Sequence, residues 1–153
     1  MNSSKVSKMA LPSPGIYHIR VRQWAFKQMH YYGYVVEDEY SAGLLQSESL
    51  RNGIFRLSHN NDGTISLFSL TLNKYVCLNP SSYSSRIGFY DGGEIAKFEL
   101  HKPEKPSKRW VKLLAATKCK FLAINSFSGG YLSDDESYTF EFLPARKGTP
   151  TVP

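Results

Sequence analysis

Residues 23–32 read QWAFKQMHYY. Four aromatic side chains, one lysine and one imidazole fall within these ten residues: Trp24, Phe26, Tyr31 and Tyr32, with Lys27 and His30. An aromatic face beside hydrogen-bonding groups can stack on a sugar ring or anchor a protein contact, because Trp and Tyr join a large apolar body to a polar edge. Trp24, Phe26, Lys27, His30, Tyr31 and Tyr32 therefore form the first candidate ligand-binding stretch. The plainer alternative is that Trp24 and Phe26 are buried and close the floor of a core.

A second stretch carries charge. Residues 102–109 read KPEKPSKR, and Lys112 follows. Lys102, Lys105, Lys108, Arg109 and Lys112 are five bases beside one acid, Glu104. Pro103 and Pro106 bar a regular strand, so the segment is predicted to be an exposed connector. Its charge suits an anionic partner: an acidic protein face, a sulfated glycan or a phospholipid surface. A solvated connector that keeps the chain soluble is the alternative.

Other reactive types are scattered. The acidic runs Tyr90-Asp91-Gly92-Gly93-Glu94 and Ser133-Asp134-Asp135-Glu136-Ser137 could hold Ca²⁺, but neither has the spacing of a calcium loop, and turn formation accounts for both. His18, His30, His59 and His101 have no metal-ligand spacing. No nucleophile elbow, phosphate loop or dinucleotide fingerprint occurs. Cys77 stands in an apolar alternation and is predicted to be a small core residue, whereas Cys119 is predicted to be exposed and free. No catalytic residue, metal or cofactor is assigned.

The chain has 153 residues, 14% aromatic and 21% charged, the composition of one globular domain. Its net charge of +6 mildly favours anionic partners but lacks the concentration expected of a specific nucleic-acid binder. No apolar run is long enough for a transmembrane helix, and residues 1–15 lack the apolar core of a secretory signal. With only two cysteines, a reducing, cytoplasmic setting is the plain expectation; a lone glycosylation sequon at Asn2 weighs little against it. A monomer is expected.

The elements that must position these residues emerge from an internal repeat. Residues 65–79 read ISLFSLTLNKYVCLN, and residues 111–125 read VKLLAATKCKFLAIN, a constant offset of 46. Each copy alternates apolar and polar positions, crosses a turn, and alternates again, which predicts β-hairpins rather than helices. The copies close on Phe98-Glu99-Leu100 and Phe140-Glu141-Phe142, and Phe55-Arg56-Leu57 supplies a third ending. Gly33-Tyr34-Val35-Val36 stands where Lys74-Tyr75-Val76-Cys77 stands in the second copy.

Three copies of four short strands give twelve strands in an all-β chain. A sheet of that size must close or cap its edges, and a threefold set does so as a six-stranded barrel with a hairpin cap, the β-trefoil. The predicted core comprises Val21, Leu67 and Leu113; Tyr34, Tyr75 and Phe121; and Phe55, Phe98 and Phe140. Aligning Val21 with Leu67 gives the first copy about five extra residues, in an enlarged hairpin loop that holds Trp24 and Phe26. The expected organisation is a flexible arm over 1–14, a trefoil over 15–145 (repeats about 15–60, 61–107 and 108–145) and a tail over 146–153.

Residues 63–79 and 110–125, with the Phe-Glu-Leu closure, resemble the repeats of fascin-like β-trefoils. That resemblance implies a non-enzymatic module that binds actin or other proteins. Phe142-Leu143-Pro144 is similar to the ending of fibroblast growth factors, although the cysteine of their second repeat is missing at Ile95-Ala96-Lys97 and the hairpin over 114–120 keeps only two lysines. The opening Leu11-Pro12-Ser13-Pro14-Gly15-Ile16-Tyr17 resembles the first strand of fungal trefoil lectins and protease inhibitors. The leading expectation is a protein-binding module of the actin-binding class; a carbohydrate-binding lectin is the main alternative, followed by a protease inhibitor and a growth-factor-like ligand.

Overall fold

The computed structural model describes residues 10–50, 52–104, 107–125 and 127–145. The strands are β1 (Gly15–Ala25), β2 (Gln28–Glu37), β3 (Leu44–Ser47), β4 (Phe55–His59), β5 (Ile65–Ser69), β6 (Lys74–Tyr75), β7 (Cys77–Leu78), β8 (Ile87–Gly88), β9 (Phe98–His101), β10 (Trp110–Ala115), β11 (Lys120–Asn125), β12 (Gly129–Ser133) and β13 (Tyr138–Pro144). Among the described residues no helix occurs, hence none long and apolar enough to cross a membrane. The thirteenth strand arises because Val76 interrupts one of the twelve expected, between β6 and β7.

Antiparallel pairing closes a ring. β1 pairs with β4, β4 with β5, β5 with β9, β9 with β10, β10 with β13, and β13 with β1. No barrel strand is left with an open edge, which removes the template for aggregation that an edge provides. The remaining hairpins, β2/β3, β7/β8 and β11/β12, form the cap. Three hydrogen bonds tie them in a circle: Phe89 N–H donates to Ala42 O (2.7 Å), Leu132 N–H donates to Ser85 O (2.8 Å), and the Gln46 amide donates to Ile124 O. This is a β-trefoil.

Phe55, Phe98 and Phe140 are fully buried, one per repeat. Burying such a ring stabilises by about 2–3 kcal/mol. On one side of each, opposite in register, lies a smaller side chain: Ser69, Ala115 and Val21. Here the register corrects the sequence alignment. Ile19, not Val21, corresponds to Leu67 and Leu113, since Ile19 faces Phe142 as Leu67 faces Leu57 and Leu113 faces Leu100. Val21 is buried, but one pleat further along.

A second correction concerns Tyr34, Tyr75 and Phe121, which do not belong to the core. Tyr75 is 36% exposed, and the buried positions are the next residues, Val35, Val76 and Leu122. In a strand a one-residue shift exchanges inside for outside. The shift arises at the turns: Asn73 and Cys119 adopt left-handed conformations (φ 57° and 52°), and the alternation resumes out of phase. On the outer surface Tyr75 packs edge-on to Phe68, over which Arg56 lies.

Residues 11–13 lie on the barrel although the sequence assigns them to the arm. Leu11 packs against the core, Pro12 O meets His59 Nε2 (2.6 Å), and Tyr17 donates its hydroxyl to Ser13 O (2.7 Å). Residues 1–9 and 146–153 fall outside the described residues.

Candidate functional site

The corrected alignment leaves seven extra residues in the first copy, not five: paired partners Arg20 and Tyr34 are 14 apart in sequence, whereas Phe68 and Tyr75, and Leu114 and Phe121, are 7 apart. These residues are not a loop. They extend β1 and β2 into a two-stranded arm that turns through Phe26 and Lys27 alone, both left-handed (φ 54° and 61°). Two successive left-handed residues form the tight turn that suits a right-twisted hairpin, a place usually taken by Asn-Gly. A register shift between Val21 and Arg22 leaves Tyr32 without an opposite residue on β1.

Strand alternation then sorts the candidate residues. Arg22, Trp24, Met29 and Tyr31 share one face, because Arg22 pairs with Tyr31 and Trp24 with Met29. His30 and Tyr32 lie on the other, where their rings stack (6.3 Å), His30 Nε2–H donates to Ala25 O (3.0 Å) and Tyr32 donates to Gln23 Oε1 (2.8 Å). Behind them Tyr138 is buried beside Tyr32; burial pushes its phenol above the ordinary range, with the neighbouring Tyr131 and Tyr32 adding to the shift. Phe26 stands at the tip, 91% exposed, with Lys27 beside it.

The face carrying Trp24 overhangs a cleft of about 240 Å³. Arg22, Trp24 and Met29 form one wall; Pro103 and Glu104 of the β9–β10 connector form another; Lys112, Glu136, Ser137 and Thr139 complete the lining. The two stretches that the sequence singles out separately thus meet around one cavity. Trp24 is 42% exposed, and its backbone N–H donates to Ser137 O (3.0 Å), which holds the arm to the start of β13.

Arg22 is the joint between arm and barrel. Its guanidinium lies 4.1 Å from the Trp110 ring centre and 5.9 Å from that of Tyr31, while Nε donates to Thr139 Oγ1 (3.2 Å). Arg20 also lies against Trp110, at 5.4 Å. Sequence reasoning passed over Arg22, Met29 and Thr139. The alternation Ile19-Arg20-Val21-Arg22-Gln23-Trp24 carries the signal, because it places Arg22 and Trp24 on one side of a strand.

Of the four described bases of the basic stretch, Arg109 and Lys112 are paired. Arg109 Nε and Arg20 Nη1 clamp the two carboxylate oxygens of buried Glu141, each at 3.1 Å. Lys112, nearly buried, pairs with Glu136 at 2.7 Å. Lys102 and Lys108 are exposed and make no ion pair among the described residues; Lys105 lies outside them. Within the cleft, two cations, Arg22 and Lys112, therefore balance two carboxylates, Glu104 and Glu136. The acidic turns serve elsewhere as surface partners: Asp91 pairs with Lys74 (3.2 Å) and Asp134 with Lys120 (2.8 Å), at equivalent places in two repeats. Among the described residues no three His, Cys, Asp or Glu side chains converge on a possible metal site.

Comparison with known proteins bears on the fold alone. No protein-family model and no curated protein matches the chain. Among solved structures it is similar to the designed 3-fold symmetric protein ThreeFoil, with a TM-score of 0.57 and 16% identity over 86% of this chain and 99% of that one.

Proposed function

We propose that this β-trefoil is a non-enzymatic carbohydrate-binding module and that a neutral glycan sits in the cleft under the arm. The observation that carries this reading is the composition of the cleft wall: one half-exposed indole, Trp24, beside Glu104, Glu136, Ser137 and Thr139. Sugars present an apolar C–H face and a rim of hydroxyls. An aromatic plate flanked by carboxylate and hydroxyl acceptors complements both. The balanced charge disfavours a sulfated ligand, whose anionic groups would meet Glu104 and Glu136.

A glycan array carrying neutral and sulfated sugars tests the proposal. Binding to a defined neutral glycan, lost in Trp24→Ala, supports it. Binding restricted to sulfated glycans, or retained in full by Trp24→Ala, rejects it. Incubation with aryl glycosides tests the non-enzymatic part, which predicts no turnover.

One observation favours a second reading, a protein-binding module of the class implied by the fascin-like resemblance. Phe26 is almost fully exposed in a left-handed conformation at the tip of the arm, a costly arrangement for a large side chain. Exposed Lys102 and Lys108 would add attraction to an acidic partner such as actin. Co-sedimentation with actin filaments, repeated with Phe26→Ala and Lys108→Ala, separates this reading from the first.

A further inference from the structure

A second cleft, of about 270 Å³, is lined by Asn79, Ser82, Tyr83, Ser84, Ser85, Arg86, Lys118 and Lys120, together with Leu78 and Leu132. Its chemistry differs from that of the first. Three cations line it and no carboxylate does. Lys120 shares its charge with the exposed Asp134, but Arg86 and Lys118 make no ion pair among the described residues.

Both walls are held in place. The loop over 79–86 is stapled by Asn79 Oδ1, which accepts from Ser81 N–H (2.9 Å), by Ser84 Oγ, which accepts from Arg86 N–H (3.1 Å), and by Asn79 N–H, which donates to Arg86 O (3.1 Å). On the other side the left-handed Cys119, whose N–H donates to Ala115 O (2.8 Å), fixes the turn that presents Lys118 and Lys120. Ser82 and Ser85 keep hydroxyls with no side-chain hydrogen bond among the described residues.

From this geometry we infer that the second cleft is a binding site for a phosphate monoester. Arg86 supplies a planar fork, Lys118 and Lys120 supply point charges, and the serine hydroxyls supply neutral donors, the set that holds a tetrahedral oxyanion. Two uncommitted cations match a group of charge near −2 at neutral pH, as a phosphate monoester carries, better than a singly charged sulfate ester. The cleft is open and has room for a phosphorylated sugar or a lipid headgroup. The net charge of +6 raises the rate at which such an anion arrives.

Titration calorimetry with glucose 6-phosphate, at fixed ionic strength, tests this site independently of the first. The expected result is saturable binding, weakened on the order of tenfold in Arg86→Gln and again in Lys118→Gln, and unchanged in Trp24→Ala. Both charge variants are at the surface, and circular dichroism checks their fold. Phosphatidylcholine vesicles carrying a phosphatidylinositol phosphate distinguish a lipid source from a soluble one; either supports the site. Equal affinity for glucose 6-sulfate, no saturable binding of either phosphate, or undiminished binding by the double variant overturns it.

Discussion

The guanidinium of Arg22 stacks 4.1 Å from the ring centre of Trp110, joining a side chain of the protruding arm to a buried one of the barrel. Such a contact contributes about 0.5–2 kcal/mol, and it anchors the strand two residues before Trp24, which lines the cleft. Arg22→Lys retains the charge but loses both the flat stack and the Nε bond to Thr139. The expected outcome is a glycan affinity reduced on the order of tenfold with a stability loss of about 1 kcal/mol. Calorimetry and urea denaturation of the same variant measure the two effects.

The tip offers a test of strain against function. Replacing Phe26-Lys27 by Asn-Gly gives the turn the residues its backbone favours. Stability should rise by about 1 kcal/mol, read as a shift of the urea midpoint. Under the second reading, partner capture should fall at the same time; under the first, glycan affinity should stay unchanged, because Phe26 does not line the cleft.

Closure of the cap depends on Gly88. A β-carbon there would lie 2.2 Å from Ala42 O and 2.9 Å from the Gly43 α-carbon, both backbone atoms that cannot swing aside. Gly88→Ala should break the bond between Phe89 N–H and Ala42 O and destabilise the protein by about 1–3 kcal/mol. Gly43→Ala is the control, since its β-carbon would meet only Ser41 Oγ, at 3.4 Å.

The pH dependence at the alkaline end rests on Tyr138. Burial raises its phenol in the folded protein, so the neutral form is favoured there, while in the unfolded chain it ionises near pH about 10. Its stabilising contribution is therefore complete below that pH and is lost as pH rises beyond it. Unfolding free energies measured from pH about 8 to about 11 should decline more steeply for the native protein than for Tyr138→Phe. Parallel curves would show that the phenol ionises in place.

The fold was legible because a trefoil repeats itself. The offset between Ile65-Ser66-Leu67 and Val111-Lys112-Leu113, with the recurring Phe55, Phe98 and Phe140, requires three like units. Local backbone geometry conceals the facing of the strands. Left-handed Asn73 and Cys119, and in the first repeat the register shift at Val21/Arg22, displaced the alternation by one residue, which made outward Tyr34, Tyr75 and Phe121 look like core. The arm hid for a related reason. A turn through Phe26-Lys27 carries none of the Asn or Gly that marks a tight hairpin, so seven inserted residues read as a loop. The meeting of Trp24 with Glu104 and Glu136 was beyond the sequence altogether, because it depends on closure of β13 onto β1.

Under the proposed function, Trp24 forms the sugar-contacting wall of the cleft. The chain has two tryptophans, Trp24 and Trp110, so its indole N–H resonances are two and assignable by substitution. Titration with the neutral glycan selected on the array should move the Trp24 resonance in a saturable way, with a smaller response at buried Trp110. Binding that leaves the Trp24 resonance in place would move the glycan site away from the arm and reject Trp24 as its wall.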